Sequence, residues 1–542
     1  MNRQEDFPID KTVVREFVDV NKELWVQRKD SLQNRYVVVN FSMVRMQAGW
    51  IIPKLLYALG AAETLNAEPI VLTWRENPDL NELFASFGMR HIVLDELNKR
   101  NPVAGCRALF KTAEIFLFRG SGEKLQKMQI EGIPVGRMLY EDILRTSSLS
   151  TIRSTRNKIC IRKMLHLLWM FYGLDAYLKE HKPVFAVADD DAYHEGMQSA
   201  LFRKNGARVC NSNSVQEKVC HFKKGYVVVR RPEECGKWYH EDIKKLDDGA
   251  VKEAERLLQA RFQGINGRAI DRDAFAGKQV LDREEACKKL GLDPAKKTVA
   301  IMAHTFTDAI YNYGIDYYFR DYYDWLEKTL KIASAVSSVN WILKPHPTRS
   351  SYNESEDSIE DMYARNKTPD IHWMDDSVSA ETIRNVADVI VTIGGNAGGE
   401  FACFGIPAVI VGKPYYRGFG YTYEPASYEE YRETLEHIDR IERLNGEQIT
   451  TAKKVFYLAN AKQVERGAFR DAFADIVNEK YRGMIDKLAK QYFANNDGTE
   501  SYNTDALRTI TEYFKDHDMR QCEYYLRGKM RAEEIVGKRK DI

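Results

Sequence analysis

Residues 389–412 read VIVTIGGNAGGEFACFGIPAVIVG, and the fold turns on how this stretch is parsed. Residues 389–393 have the dense β-branched content of a buried strand, and 397–404 have the make-up of a short helix. Gly394, Gly395, Gly398 and Gly399 crowd the junction between them. At Gly394 and Gly395 a positive φ is tolerated and no side chain blocks an incoming group. A helix starting at Asn396 and Ala397 offers unpaired amides and the positive end of its dipole, which suits a phosphate. Glu400 follows Asn396 by one helical turn, so its carboxylate can face the same side and hold sugar or ribose hydroxyls. The glycines serve equally well in a tight strand–helix junction that holds no ligand, and the pattern is not the GxGxxG dinucleotide fingerprint.

Outward from this junction, strand-like and helix-like stretches alternate. TVAIMAH, NWILKPHP, DIHWMDD, VIVTIGG and PAVIVG form a series from Thr298 onward. RYVVVNFS, PIVLTW, HIVLDEL and VFAVADDD form an earlier series, with a helical stretch over 105–182 before the last of them. Such alternation predicts parallel sheets and an α/β fold of two Rossmann-like domains facing a cleft, with a helical C-terminal tail. The expected division is an acceptor-side domain over 1–231, a charged helical connection over 232–297, a second Rossmann-like domain over 298–460, and helices over 461–542 that brace the first domain.

At 542 residues the chain is too long for one core. A net charge of +1, with 29% charged residues, removes the argument for non-specific nucleic-acid binding. Eight cysteines without CxxC pairs or metal spacing read as reduced thiols, and no metal site is expected. A charged N-terminus without an apolar signal core, and no run near the ~20 apolar residues of a membrane span, point to a cytoplasmic protein. The longest apolar run, MLHLLWMFYGL at 164–174, is preceded by Arg145, Arg153, Arg156, Lys158, Arg162 and Lys163. That combination fits a helix lying on an anionic membrane surface, and also a buried helix with a solvated basic start.

Ligands of open α/β sheets sit beyond the carboxyl ends of the strands. In the C-terminal half those ends carry His304, then Lys344 and His346 in the KPHP turn, then the glycine junction. An imidazole and an ammonium there can both donate to a phosphate, and the prolines stiffen the loop. GKPYYRGFGYTYEP (412–425) adds Tyr416, Arg417 and Thr422, which suit a base, a sugar or a closing loop, or inter-domain packing. In the N-terminal half, VFAVADDDAYHEG places Asp189, Asp190, Asp191, His194 and Glu195 at one strand end. Clustered acids raise one another's pKa, which suits a general base or nucleophile; a helix N-cap and a divalent-metal site compete as readings. In SMVRMQAGW (42–50), Arg45 and Gln47 can bind an acceptor sugar or an anion, or belong to an ordinary surface loop.

Together, the PHP turn, the glycine junction with its Glu, and GIPAVIVGKPYYRGFGYT resemble bacterial capsule-polysaccharide glycosyltransferases of GT-B fold, in particular the Kdo transferases that use CMP-linked Kdo. Pro407, Tyr416, Gly418, Gly420 and Thr422 match a segment of that family, and the resemblance covers residues 298–425. It implies that His346 contacts the donor phosphate, as the His-Pro motif of bacterial sialyltransferases holds the phosphate of CMP. The rest of the donor site would then be Lys344, His304, Gly394, Gly395, Asn396, Ala397, Gly398, Glu400, Tyr416 and Thr422. On the residues themselves Arg45, Gln47 and His194 are the candidates for the acceptor, and the resemblance supports an acidic catalytic residue in the N-terminal half, one of Asp189, Asp190 and Asp191. The implied partners are a nucleotide-sugar donor, with no separate cofactor, and a glycan or lipid-linked glycan acceptor. Peripheral contact with the inner membrane or a polysaccharide assembly complex is a further expectation, the former from the basic lead-in to the apolar run at 164–174. GGNAGGE departs from the Ser or Thr pair familiar in related transferases. The Asp-Tyr-Ser-Ser turn of teichoic-acid glycerophosphotransferases and the Thr-Glu-Arg-Pro-Glu stretch of UDP-GlcNAc 2-epimerases are missing. An epimerase and a non-catalytic scaffold of this shape stand as the rival readings.

Overall fold

A computed structural model describes residues 11–25, 35–41, 48–75, 78–147, 149–188, 192–213, 216–219, 240–264, 275, 277–311, 318–347, 349, 357–460, 511, 515, 518–521 and 523–538. Two six-stranded sheets organise them. The first contains β1 (Tyr36–Asn40), β2 (Glu68–Thr73), β3 (Arg90–Val93), β4 (Pro183–Ala188), β5 (Arg208–Asn213) and β6 (Gln216–Val219), in the order β3-β2-β1-β4-β5-β6. The second contains β7 (Lys297–Met302), β8 (Val339–Lys344), β9 (Ile371–Trp373), β10 (Val389–Thr392), β11 (Ala408–Ile410) and β12 (Thr422–Tyr423), in the order β12-β11-β10-β7-β8-β9. Each half therefore follows the doubly wound order 3-2-1-4-5-6 when counted from its own first strand. Every pairing is parallel except β5 with β6.

The strands form where the sequence is apolar on both faces, as buried parallel strands must be. Val37, Val38 and Val39 are fully buried, as are Val299, Ala300 and Ile301. The order reverses between β1 and β4 in one sheet and between β7 and β10 in the other, so topology selects the loops after those four strands as ligand sites.

The described helices over 102–180 share one hydrophobic core with residues of both sheets, among them Val38 and Ile70 of the first and Val299 and Trp341 of the second. Their long member, Lys158–Glu180, buries Met164, Leu167, Leu168 and Phe171, so the apolar run at 164–174 belongs to the core and not to a membrane surface. Among the described residues no helix is long and apolar enough to cross a membrane. The helix Val135–Ser147 makes the decisive contacts through three successive residues. Tyr140 donates its hydroxyl to the buried Asp321 carboxylate, which caps the helix Tyr322–Ala333 and also accepts from Thr151 at 2.6 Å. Glu141 accepts the Tyr311 amide at 2.6 Å, with the amides of Tyr193 and Ile310 also directed at its carboxyl. Asp142 accepts from the His194 ring at 2.7 Å. One helix turn thus holds elements of both halves.

The described parts of the charged stretch expected as a connection over 232–297, residues 240–264, 275 and 277–297, contribute to the core of the second sheet. Asp248–Phe262 buries Ala250, Ala254, Leu258 and Phe262, and Leu281, Ala286 and Leu292 join the same core. Spacings of four put these few apolar residues on one face, and the charges that dominate the composition belong to the solvated face. At the other end, Glu523–Lys538 crosses Ala48–Leu65 so closely that a Cβ on Gly60 would lie 1.9 Å from the Tyr525 carbonyl oxygen, and one on Gly528 would lie 1.9 Å from that of Tyr57.

Burial pushes the Glu141 carboxyl up to about 8, so it is largely protonated at neutral pH and an amide is its near isostere. Glu141→Gln is expected to melt close to wild type. Glu141→Ala leaves buried amides unpaired and costs about 3 kcal/mol, visible as an earlier transition in thermal unfolding.

Candidate functional site

In the second sheet, the loops after β7 and β10 flank the reversal point. The side chain of Thr392, at the end of β10, accepts the Gly395 amide at 3.2 Å and lies 3.4 Å from the Met302 carbonyl oxygen of β7. The helix after the glycines is short, Ala397–Ala402, and its N-cap Asn396 makes no side-chain cap bond. Among the described residues no hydrogen bond engages the amides of Asn396 and Ala397, whereas those of Gly398, Gly399 and Glu400 are bonded within the turn.

Two of the expected reasons for glycine separate here: left-handed backbone is not what Gly394 and Gly395 supply, and Gly398 and Gly399 are set by packing. Neither Gly394 nor Gly395 has a positive φ; the left-handed glycines of this region are Gly405 (φ +82°), just after the helix, with Gly418 (φ +85°) and Gly420 (φ +79°). Gly398 and Gly399 make room for Tyr416, since a Cβ would meet its hydroxyl at 2.5 Å and its ring at 2.8 Å respectively. Tyr416 is fully buried and donates its hydroxyl to the Gly395 carbonyl at 2.6 Å. Tyr416 therefore holds the turn in shape from below. Thr422 is likewise committed: it donates to Glu424 at 2.5 Å, and the same carboxylate takes the Gly418 amide at 2.7 Å and Arg417 at 3.2 Å. Glu424, which closes the 412–425 loop, was not singled out from sequence because a lone Glu in an aromatic segment carries no pattern. Glu400 is buried and paired with Arg261 at 3.0 Å, a residue of the segment read as a connection.

His304 and His346 come together as the strand ends imply, their ring centroids 5.5 Å apart, and His304 stacks on Tyr322 at 4.4 Å. Burial lowers both, His304 to about 4 and His346 to about 3, and at His346 a charge on the neighbouring His304 would add to the effect. Both are therefore neutral at pH 7, able to donate one N–H each but not to act as cations. Among the described residues, His304 Nδ1 and the Thr305 hydroxyl are buried with no hydrogen-bond partner. Lys344 has a different task. Its ammonium is buried against the carbonyls of Asp375 (3.1 Å) and Val378 (3.4 Å), and burial lowers it to about 8. Arg349 binds Asp376 at 2.5 Å and Glu360 at 3.0 Å, so both cations of this loop are held by the protein.

In the first sheet, Arg45, Gln47 and the acids Asp189, Asp190 and Asp191 lie outside the described residues. The helix that follows, Tyr193–Lys204, has Ala192 at its N-cap position, with no side-chain cap. Asp142, from the helix Val135–Ser147, takes over that duty, accepting the His194 amide at 3.2 Å as well as the ring Nδ1. His194 Nε2 is 3.2 Å from Glu195, and the ring meets Trp74 edge-on at 4.8 Å. Burial disfavours the Asp142 charge, but His194 outweighs it and holds that carboxyl below its usual range. Asp142 sits mid-helix with no sequence signal; only the fold brings it to His194.

The two reversal points are joined. Tyr193, in the left-handed region at φ +54°, donates its hydroxyl to Asp308 at 3.0 Å, four residues beyond His304. A tyrosine is uncommon in that conformation, and the strain is held in place by the Asp308 bond and the Glu141 contacts around it.

No family model matches the sequence, and no curated protein matches it either. Among solved structures, the beta Kdo 2,4 transferase of Thermosulfurimonas dismutans KpsC aligns at a TM-score of 0.30 and 14% identity, over 51% of this chain and 80% of that one. A glycosyltransferase from Rickettsia africae aligns at 0.23 and 8%, over 90% and 100%. A putative UDP-N-acetylglucosamine 2-epimerase from Listeria monocytogenes aligns at 0.25 and 10%, over 79% and 95%. The architecture assigned above rests on the two sheet orders rather than on these alignments.

Both histidines have an ordinary pKa near 6.5 once unfolded. The unfolded chain therefore takes up protons below that pH that the folded chain refuses until about pH 4 and 3. Stability should be full above pH 6.5 and decline as pH falls below it. His304→Asn/His346→Asn should lose less of its melting temperature between pH 7 and pH 5 than wild type does; equal losses would remove the neutral-imidazole assignment.

Proposed function

We propose that the protein is a glycosyltransferase that moves a sugar, Kdo or a related ulosonic acid carried on CMP, to a surface-polysaccharide acceptor. The observation that carries this reading is the Tyr193–Asp308 bond, which ties the loop after β4 to the loop after β7. Two strand-end sites on separate sheets, held face to face, suit a reaction between two substrates.

In this scheme the donor phosphate takes the amides of Asn396 and Ala397 and the N–H of the neutral His346. As the bond to the sugar breaks, negative charge builds on that phosphate, and fixed donors aimed at it lower the barrier without reorganising. A phosphate next to His346 also raises the ring's proton affinity, so the leaving group and the imidazole can share a proton. The acceptor enters over the first sheet, where one of Asp189, Asp190 and Asp191 removes its hydroxyl proton, with Arg45 and Gln47 on the acceptor. The His194–Asp142 pair stands next to that segment and fixes the start of its helix. Closure of the halves over both substrates excludes water, so transfer outruns hydrolysis.

Turnover with CMP-Kdo and with UDP-GlcNAc, each with and without a capsule oligosaccharide, tests the reading. CMP release together with labelled oligosaccharide, and neither without acceptor, is the expected result. His346→Ala should lower that rate about a hundredfold, and one of Asp189→Ala, Asp190→Ala or Asp191→Ala should do the same. Conversion of UDP-GlcNAc without acceptor would replace transfer by epimerisation. No turnover of either donor would leave a scaffold.

A further inference from the structure

The helix Pro102–Phe118 is turned inside out. Its inner face carries the small or polar Ala104, Ala108 and Thr112, with Ile115, and packs on Lys158–Glu180 where Gly105 meets the Trp169 ring. Its outer face carries Val103, Cys106, Phe110, Ala113 and Leu117, spaced by three and four, all exposed. Phe110 is 76% exposed, Phe118 71% and Val103 66%, and Leu109 and Leu117 are 58% exposed. A soluble helix ordinarily buries such residues; a contiguous apolar stripe left outside marks a docking surface. At about 1.5 Å per residue the stripe runs for roughly 25 Å.

What covers it is indicated by charge. Arg156 crosses to the C-terminal end of this helix, donating to the carbonyls of Phe116 (2.9 Å) and Leu117 (3.0 Å). Next to it in the chain come Lys158, the exposed Ile159 and Arg162, all on the surface. From residue 143 to residue 174 there is not one Asp or Glu. Two acids near the stripe are already paired, Glu114 with Lys111 and Glu131 with Lys204 and Arg107. A second copy of the chain would set this basic end against either a charge of the same sign or the apolar stripe. An anionic bilayer satisfies both features at once, with phenylalanines entering the acyl boundary and guanidinium and ammonium groups at the headgroups.

We propose that the outer face of Pro102–Phe118, with Arg156, Lys158, Ile159 and Arg162 at its end, docks on an anionic phospholipid surface. The surface differs from the helix that composition pointed to: the basic lead-in is shared, but the apolar part is supplied by a neighbouring helix. The inference is independent of the transferase reading.

Co-sedimentation of the full chain with vesicles of phosphatidylcholine alone, and of phosphatidylcholine mixed with phosphatidylglycerol, tests it. Binding to the mixed vesicles, roughly tenfold or more above phosphatidylcholine alone and weakened by salt, is expected. Phe110→Ser/Leu117→Ser and Lys158→Glu/Arg162→Glu should each lose about tenfold or more while keeping the wild-type melting temperature, since all four side chains are exposed. Equal binding to both vesicles, or none, would overturn the proposal. So would a dimer in sedimentation velocity that Phe110→Ser/Leu117→Ser dissolves, because the stripe would then be covered by a second copy.

Discussion

Three successive side chains on one buried helix hold the two halves of this protein in register. Tyr140 reaches the capping carboxylate Asp321, Glu141 reaches the amide of Tyr311, and Asp142 reaches His194. Consecutive helical residues point about 100° apart, so this trio can serve three partners only if the helix is surrounded. Burial makes each bond costly to lose, because an unpaired polar group there has no water to turn to. The strand-end loops of both sheets inherit their positions from this turn: the loop at Tyr193 through Glu141 and Asp142, the loop at Asp308 through Tyr311.

The glycine junction shows how two explanations of one pattern separate. Conformational freedom and close approach both select glycine. Here the backbone between β10 and the next helix needs no left-handed residue, and it is the Tyr416 ring that forbids a Cβ at Gly398 and Gly399. That ring fixes the Gly395 carbonyl and so sets the direction of the turn that carries Asn396 and Ala397. Tyr416 and Thr422, expected to touch a donor directly, are bonded within the protein, to the Gly395 carbonyl and to Glu424. Lys344 similarly shapes the loop after β9.

The alternation of apolar strands and helical stretches was legible from composition alone, because buried parallel strands such as YVVVN and VIVT admit almost nothing polar. Strand ends were therefore legible too, and the pairing of His304 with His346 follows from β7 and β8 being neighbours. Side chains that act across long sequence separations were not. Asp142 and His194 are 52 residues apart, and Glu141 and Tyr311 are 170 apart. No local period marks such partners. The stretch before Lys297 misled for another reason: a helix with a narrow apolar face has a charged composition even when that face is in the core.

The central claim is that the reversal point of the second sheet, with His346 and the Asn396–Ala397 amides, holds a nucleotide phosphate. Calorimetric titration of the full chain with CMP, CDP, UDP and GDP, beside His346→Ala, tests it most directly. The account predicts saturable binding of a single nucleotide class, with affinity falling roughly tenfold or more in the variant, as expected for a lost bond to a charged group. Undiminished binding by His346→Ala, or no binding of any of the four, would contradict it.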